Sequence, residues 1–366
     1  MTGAREYLAP VTTRGSDEMH AVVIREHGGL DTLRLDEMPA PRPAAGEVLV
    51  RVRAVALNNM DVWARSGPPD GRPVFPWGRL RLPMVTGTDV AGVVEEVGPG
   101  TGRHEPGDRV VVNSILSCGR FEFCVAGEQS MCSEYHIFGE HRPGGMAEYT
   151  VVPEGNLLRI PDGVRFETAA AAPACYTTAW RGLITAGGLR AGEDLLVVGA
   201  SGGVGTGALQ IGRLAGARVF ALVGTAEKAK KAEALGAIPI ARSEYPKFSE
   251  RVRELTGNGV HMVSDPVGAA TWPESIRSLR PGGRMVICGA TGGERPDFDI
   301  REVYQRHRRI IGAPMGNVAD FHTVMDLVFR GILVPVIHAV LPLTQIREAH
   351  RIFEAREHFG KIVRVP

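Results

Sequence analysis

The chain has 366 residues, 44% of them hydrophobic, enough for one large or two medium domains with real cores. Its 42 basic and 41 acidic residues leave a formal net charge of +1, and no basic stripe stands out, so nucleic acid is not an expected partner. No apolar run reaches bilayer-spanning length, no secretory h-region opens the chain, and the five cysteines are an odd number. A membrane-spanning helix and a disulfide framework are therefore not expected, and a cytoplasmic enzyme fits better.

Residues 1–18 are polar and irregular and read as a flexible extension, with strand-like alternation starting at Met19. From there to residue 174 the chain is β-rich. "HAVVIREHG", "EVLVRVRAVAL", "VAGVVEEVG", "DRVVVNS" and "MAEYTVVP" are short valine-rich runs punctuated by Gly or Pro, the pattern of a compact barrel-like domain. The segment "SCGRFEFCVAGEQSMC" holds Cys118, Cys124 and Cys132.

Over residues 175–316 strands alternate with helices, which predicts a doubly wound parallel sheet. "DLLVVGASGGVGTGALQ" is a buried strand running through a glycine-rich turn into a helix. Gly199, Gly202 and Gly205 allow the sharp turn and a close backbone approach to a pyrophosphate. The helix start then offers free N–H groups and its positive dipole end. Gly199, Ala200, Ser201, Gly202, Gly203, Val204 and Gly205 are therefore read as a dinucleotide cradle.

The next strand ends "ALVGTAEKAKK", with no carboxylate to hold a ribose 2′-OH. Thr225 can hydrogen-bond a 2′-phosphate, Lys228 can pair with its charge, and Arg242 can assist, so NADPH is expected. Asp265 and Val267 end a later strand, where ligand crevices form. Residues 317–366 revert to helix, strand, helix, strand and are expected to complete the first domain.

These motifs in this order resemble the medium-chain dehydrogenase/reductase superfamily over residues 19–366. "ALNNMDVWARSG", "TGTDVAGVVEEVG", "AAAAPACYTTAW", "VSDPVG" and "GKIV" are most similar to its quinone oxidoreductase and enoyl reductase branch. The resemblance implies an α/β protein with a GroES-like β-rich catalytic domain, a Rossmann domain, and a homodimer. Zinc alcohol dehydrogenases of the superfamily hold a catalytic metal through Cys, a "GHE" motif and a later Cys or Asp. Here Asn58, "GTD" (Thr88 and Asp89) and Ala174 stand at those places, so no catalytic zinc is expected.

Alcohol oxidation needs a Lewis acid for its alkoxide, whereas hydride addition to a conjugated C=C spreads charge into an enolate that hydrogen-bond donors can hold. The expected activity is therefore NADPH-dependent reduction of an α,β-unsaturated carbonyl or a quinone. The alternatives are an enoyl-thioester reductase acting on a CoA or carrier-protein substrate, with Arg301, Arg306, Arg308 and Arg309 as a possible basic groove, and a non-catalytic NADPH-binding protein.

By the resemblance, Asn58 faces the nicotinamide or substrate carbonyl, Thr178 lies near the nicotinamide, and Asp61 is structural. Tyr176 has the chemistry of a proton donor, with a core role as its other reading. In carboxylating enoyl-CoA reductases a catalytic glutamate stands near the position of Glu140, although their other hallmark residues are not evident here. The three cysteines match the first, third and fourth positions of the structural-zinc pattern C-x2-C-x2-C-x7-C, with Phe121 at the second. The lobe is expected to lack its metal, with structural zinc as the alternative.

Overall fold

The computed structural model describes residues 12–67 and 81–366. They form two compact units, one within Met1–Ala174 and Met325–Pro366, the other Cys175–Val324. The second boundary falls inside the helix Val318–Phe329. The strand expected from Met19 already begins at Thr12, and Thr12–Ile24 pairs antiparallel with Arg34–Arg42 through a shift between Thr13 and Glu18. Only residues 1–11 of the expected extension lie outside the described residues.

The first unit is built around the strand Glu47–Ala56. Its valines and alanines are almost all buried, because it pairs with Asp89–Val97, Tyr149–Pro153 and Lys361–Val365. The seven-stranded sheet continues outward to Arg109–Val112 and Leu157–Arg159 on one side and Ile337–Pro342 on the other. One hydrophobic cluster joins Val22, Ile24, Val50, Val90, Val110, Phe138 and Met146 to Leu343, Ile346, Ala349 and Ile362 from the returning C-terminal segment. In the helix Ile346–Glu354 the buried positions are Ile346, Ala349 and His350, spaced as one helical face. Each fully buried aliphatic side chain contributes about 1.5–3 kcal/mol, which is what binds the last residues of the chain to strands far earlier in sequence.

The second unit is a six-stranded, all-parallel sheet in the order Ile238–Ala241, Arg218–Val223, Asp194–Val198, Val260–Asp265, Leu279–Ile287, Arg309–Gly312. The chain starts in the middle, walks out one way, then jumps back to the other side of Asp194–Val198. The switch point thus lies between Asp194–Val198 and Val260–Asp265, and open parallel sheets bind ligands outside the carboxyl ends of their strands at such a point. Alternate residues of Asp194–Val198 serve two layers. Leu196 and Val198 cluster with Phe248, Val252 and Ile276, while Leu195 lies under Gly212 of the helix Gly203–Leu214.

The turn after Asp194–Val198 requires glycine at two positions. Gly199 has φ +64°, a left-handed conformation, and a Cβ at Gly205 would stand 2.3 Å from the Gly199 carbonyl oxygen. Alanine gains about 1 kcal/mol over glycine in an ordinary helix interior. Gly205→Ala is nevertheless expected to lower the unfolding midpoint, whereas Gly224→Ala, which meets open space, is expected to leave it nearly unchanged. Urea unfolding checks this; a more stable Gly205→Ala protein would contradict the close packing.

Candidate functional site

At one end of the first unit's sheet three neighbouring strands place polar side chains together. Ala56 lies opposite Asp89 on one side and Val363 on the other, so Asn58, Asp89 and Lys361 converge. Their exposures are 5%, 0% and 1%. The Lys361 ammonium donates to Asn58 Oδ1 at 2.5 Å and to Asp89 Oδ2 at 3.0 Å. Asn58 Nδ2 donates to the same Asp89 oxygen at 3.0 Å and to the Ala56 carbonyl at 3.3 Å. The other carboxylate oxygen, Asp89 Oδ1, accepts the Ala174 N–H at 2.7 Å.

Asn58 also caps the helix Asn59–Ser66. Asp61, one turn in, accepts the Asn58 N–H at 2.8 Å and the Gly87 N–H at 2.9 Å, which ties the helix start to the "GTD" segment. Burial raises the Asp61 carboxyl to about 6 against the lowering effect of those N–H groups and of Lys361.

This donor set does not fit a catalytic zinc. The positions hold an amide, a hydroxyl, a carboxylate and an alanine, and the carboxylate and amide oxygens already hold an ammonium. Asn58 is placed within this cluster with its amide oxygen bonded to Lys361 and its amide nitrogen to Asp89 and Ala56.

Beside the cluster, Gly139 and Gly144 pack against the backbone of Gly87 and carry the turn that contains Glu140. Glu140 is 2% exposed, and neither carboxylate oxygen has a partner among the described residues; Thr88 Oγ1 is likewise buried and unpartnered. Burial, reinforced by the charge of Asp61, pushes the Glu140 carboxyl well above the ordinary glutamate range. A buried carboxyl shifted toward its protonated form, with spare hydrogen-bonding capacity, suits a ligand or a proton transfer.

In the second unit the glycine turn and the start of the helix Gly203–Leu214 lie at the switch point, beside Val267, whose Cγ2 would be 3.1 Å from a Cβ on Gly199. Gly202 precedes the helix as its cap, so the first-turn N–H groups of Gly203, Val204 and Gly205 are open to phosphate oxygens, with Ala200 and Ser201 in the turn itself. These residues fit a pyrophosphate.

Thr225 caps the helix Ala226–Ala234, its hydroxyl oxygen accepting the Lys228 N–H at 3.3 Å, which leaves the hydroxyl proton available to a 2′-phosphate. Arg242 is exposed and donates to the Ala270 carbonyl at 3.3 Å. Asp265 plays a different part from the others. Its fully buried carboxylate accepts from the Val267 and Gly268 N–H groups and from the Thr271 and Ser275 hydroxyls, so it shapes the turn that carries Val267.

Tyr176 and Thr178 lie on the helix Pro173–Trp180. Tyr176 is fully buried, packs on Gly207, and its hydroxyl accepts from Gln210 Nε2 at 2.9 Å. The structure thus places it between two helices in its packing role. Thr178 is 6% exposed, with Met315 Sδ at 3.9 Å from its hydroxyl.

In the cysteine lobe, Cys118 Sγ lies 3.8 Å from Cys124 Sγ and 3.5 Å from Cys132 Sγ. All three are free thiols. Backbone N–H groups of Phe121 and Glu134 point at the Cys118 and Cys132 sulfurs, each at 3.3 Å. Burial pushes the Cys132 thiol up to about 11. Three donors of the right kind for a structural zinc are present; a fourth is not among the described His, Cys, Asp and Glu residues grouped there.

Sequence reasoning took Lys361 only as part of a motif. The signal was a lysine following Gly360 in an otherwise apolar closing strand, where an ammonium is buried only with a partner.

No helix among the described residues is long and apolar enough to cross a membrane. Residues 44–162 match the family model of the alcohol dehydrogenase GroES-like domain, and residues 203–330 that of the zinc-binding dehydrogenases. The acryloyl-coenzyme A reductase of Sulfurisphaera tokodaii is 31% identical over 350 residues, covering 95% of this chain and 100% of that protein. The quinone oxidoreductase of Homo sapiens is 28% identical over 344 residues, covering 92% and 94%. A crystal structure described as an NAD-dependent alcohol dehydrogenase superposes with a TM-score of 0.89 at 42% identity, covering 95% of this chain and 100% of that one. A crotonyl-CoA carboxylase/reductase in complex with NADP superposes with a TM-score of 0.87 at 26% identity, covering 98% and 96%. With both domains matched in order and relatives aligned along nearly their whole length, the chain belongs to the medium-chain dehydrogenase/reductase superfamily.

Proposed function

We propose that this protein is an NADPH-dependent reductase of a C=C bond conjugated to a carbonyl, acting without a catalytic metal. The observation that carries the reading is the buried Lys361–Asp89–Asn58 cluster, which stands where zinc dehydrogenases place metal ligands and already holds a cation. Bound NADPH, held by the Gly199–Gly205 turn, Thr225 and Lys228, would supply the hydride for the β-carbon; the C=C electrons would move to the carbonyl oxygen as an enolate, and a proton would then add to the α-carbon. None of these steps demands a Lewis acid strong enough for an alkoxide.

Within the class, an enoyl thioester is favoured by the full-length likeness to acryloyl-coenzyme A reductase, and a quinone is the second reading, from the human quinone oxidoreductase. Asn58 and Lys361 position the site and Thr178 lies toward the nicotinamide. Glu140 supplies the proton, because burial raises its carboxyl well above the ordinary glutamate range and its oxygens have no partner among the described residues. The strand Arg309–Gly312 ends the six-stranded sheet, with Ile310 37% exposed, and a second copy pairing there makes the protein a homodimer.

NADPH oxidation is to be followed with crotonyl-CoA, simple enones and quinones. Turnover of the thioester well above the others supports the favoured reading; tight NADPH binding without turnover of any would leave a binding protein. Thr225 and Lys228 favour the phosphorylated cofactor, whereas the neighbour at 42% identity is described as NAD-dependent. Lys228→Glu is expected to raise KM for NADPH at least tenfold and to change KM for NADH little; equal effects on both would assign the residue to the helix surface.

Glu140 gives a pH test with a definite sign. An acid must be protonated to donate, so the rate should fall as pH rises through the elevated Glu140 value. Glu140→Gln should lower kcat at least tenfold and remove that alkaline limb. Its stability at neutral pH should not drop. A carboxyl whose folded pKa is raised costs stability above its unfolded value, increasingly up to the folded one, and glutamine does not titrate. A variant with unchanged kcat would remove Glu140 from the reaction.

A further inference from the structure

We infer that an arginine-walled cavity in the second unit, at the amino ends of its strands, is an anion site separate from the glycine turn and takes two linked phosphate groups. The cavity has a volume of about 380 Å³, and five arginines line it: Arg253, Arg277, Arg301, Arg306 and Arg308. Arg253 and Arg277 lie in the last turns of the helices Phe248–Thr256 and Trp272–Ser278. Those helices lead into the strands Val260–Asp265 and Leu279–Ile287, while Arg306 and Arg308 directly precede Arg309–Gly312. The glycine turn instead follows the carboxyl end of Asp194–Val198. A five-residue strand spans roughly 17 Å, so the two places lie on opposite edges of one sheet.

Charge within the wall does not balance. Asp299 accepts from Arg301 Nε at 2.8 Å, and Glu302 is shared between Arg277 at 3.1 Å and Arg308 at 3.7 Å. Glu274, outside the wall, also pairs with Arg277 at 3.1 Å. Five guanidiniums are thus set against three carboxylates, and neither Asp299 nor Glu302 is the partner of Arg253 or Arg306. Arg253 is anchored by donating to the Arg277 carbonyl at 2.7 Å, and Arg308 by donating to the Glu302 carbonyl at 3.1 Å.

Arg308 is the buried member of the set. It is 8% exposed, and its Nε–H is buried with no hydrogen-bond partner among the described residues. Burial pushes its guanidinium down from the ordinary value; Glu302 opposes this, and the charges of Arg306 and Arg253 add to it. A guanidinium stays charged even so, and like charges held this close raise the free energy until an anion joins them. The turn carrying Arg306 and Arg308 runs through His307 at φ +51°, a conformation that side chains other than glycine seldom adopt.

The wall also selects the class of anion. Guanidinium forks match phosphate oxygens in pairs. One phosphate monoester carries a charge of about −1.5 to −2, so two linked phosphates meet an excess of this size and a lone carboxylate does not. All the residues lining the cavity are arginines, acids or Gln305, so no ring or aliphatic side chain there reads a base or an acyl chain. The ligand is therefore held by its phosphates, whether it is free pyrophosphate or the diphosphate of a nucleotide.

The test uses the full-length protein saturated with NADP+, so that the glycine turn is occupied. Calorimetric titration with inorganic pyrophosphate should show one saturable site per chain, weakening steeply with added salt. Inorganic phosphate and acetate should bind at least tenfold more weakly. Arg306 is exposed, so Arg306→Glu should keep the unfolding midpoint of the ligand-free protein, lose at least tenfold in pyrophosphate affinity and lose the rise in midpoint that pyrophosphate gives the parent. ADP in the same titration separates the two sources: equal or tighter binding assigns the site to a nucleotide diphosphate, and weaker binding to the inorganic ion. No saturable pyrophosphate binding to the NADP+-saturated protein would overturn the inference. So would an affinity unchanged in both Arg306→Glu and Arg253→Glu, or acetate binding as tightly as pyrophosphate.

Discussion

The first unit depends on one buried ammonium. Lys361 belongs to the closing strand of the chain, and its charge is held at 1% exposure by the carboxylate of Asp89 and the amide oxygen of Asn58. A lone ammonium at that depth would cost several kcal/mol, and loss of either partner of such a pair typically costs about 3–5 kcal/mol. The closing strand must therefore lie in register with Glu47–Ala56, whose other neighbour carries Asp89. A single ion pair thus links the helix start at Asn58, the "GTD" segment and the last strand.

The same pair decides what chemistry the unit can hold. A zinc site needs anionic or imidazole donors aimed at an empty centre, whereas here the Lys361 side chain is bonded to Asp89 and Asn58. Among the buried polar groups of the unit that lack a partner among the described residues are Glu140 and Thr88. Burial and the charge of Asp61 push the Glu140 carboxyl upward, toward its protonated form.

Substitution has proceeded differently in the cysteine lobe. At the catalytic positions the soft ligands are gone and a cation has been built in. In the lobe three of the four sulfurs remain, and the backbone N–H groups that favour their anionic form are still aimed at them.

The amino-acid sequence by itself determined the two-part organisation. Valine-rich runs cut by glycine and proline read as a β domain, and the switch to alternating strands and helices near Asp194 read as a parallel sheet. These are local periodicities and need no partner to be seen. The glycine turn from Gly199 to Gly205 was legible for the same reason, as was the missing carboxylate near Thr225. Side-chain commitments were not legible, because they depend on what lies opposite. Tyr176 looks like a proton donor until Gln210 and Gly207 are found against it. Asp265 looks like a cofactor ligand until its carboxylate is found bonded to Thr271, Ser275 and two backbone N–H groups. Lys361 meets Asp89 across 272 residues, a contact no spacing rule encodes, and the convergence of Cys118, Cys124 and Cys132 to coordination distance is likewise a product of the folded loop. Hydrophobic pattern fixes which elements form; only tertiary packing decides which polar atoms are already bonded and which remain free for chemistry.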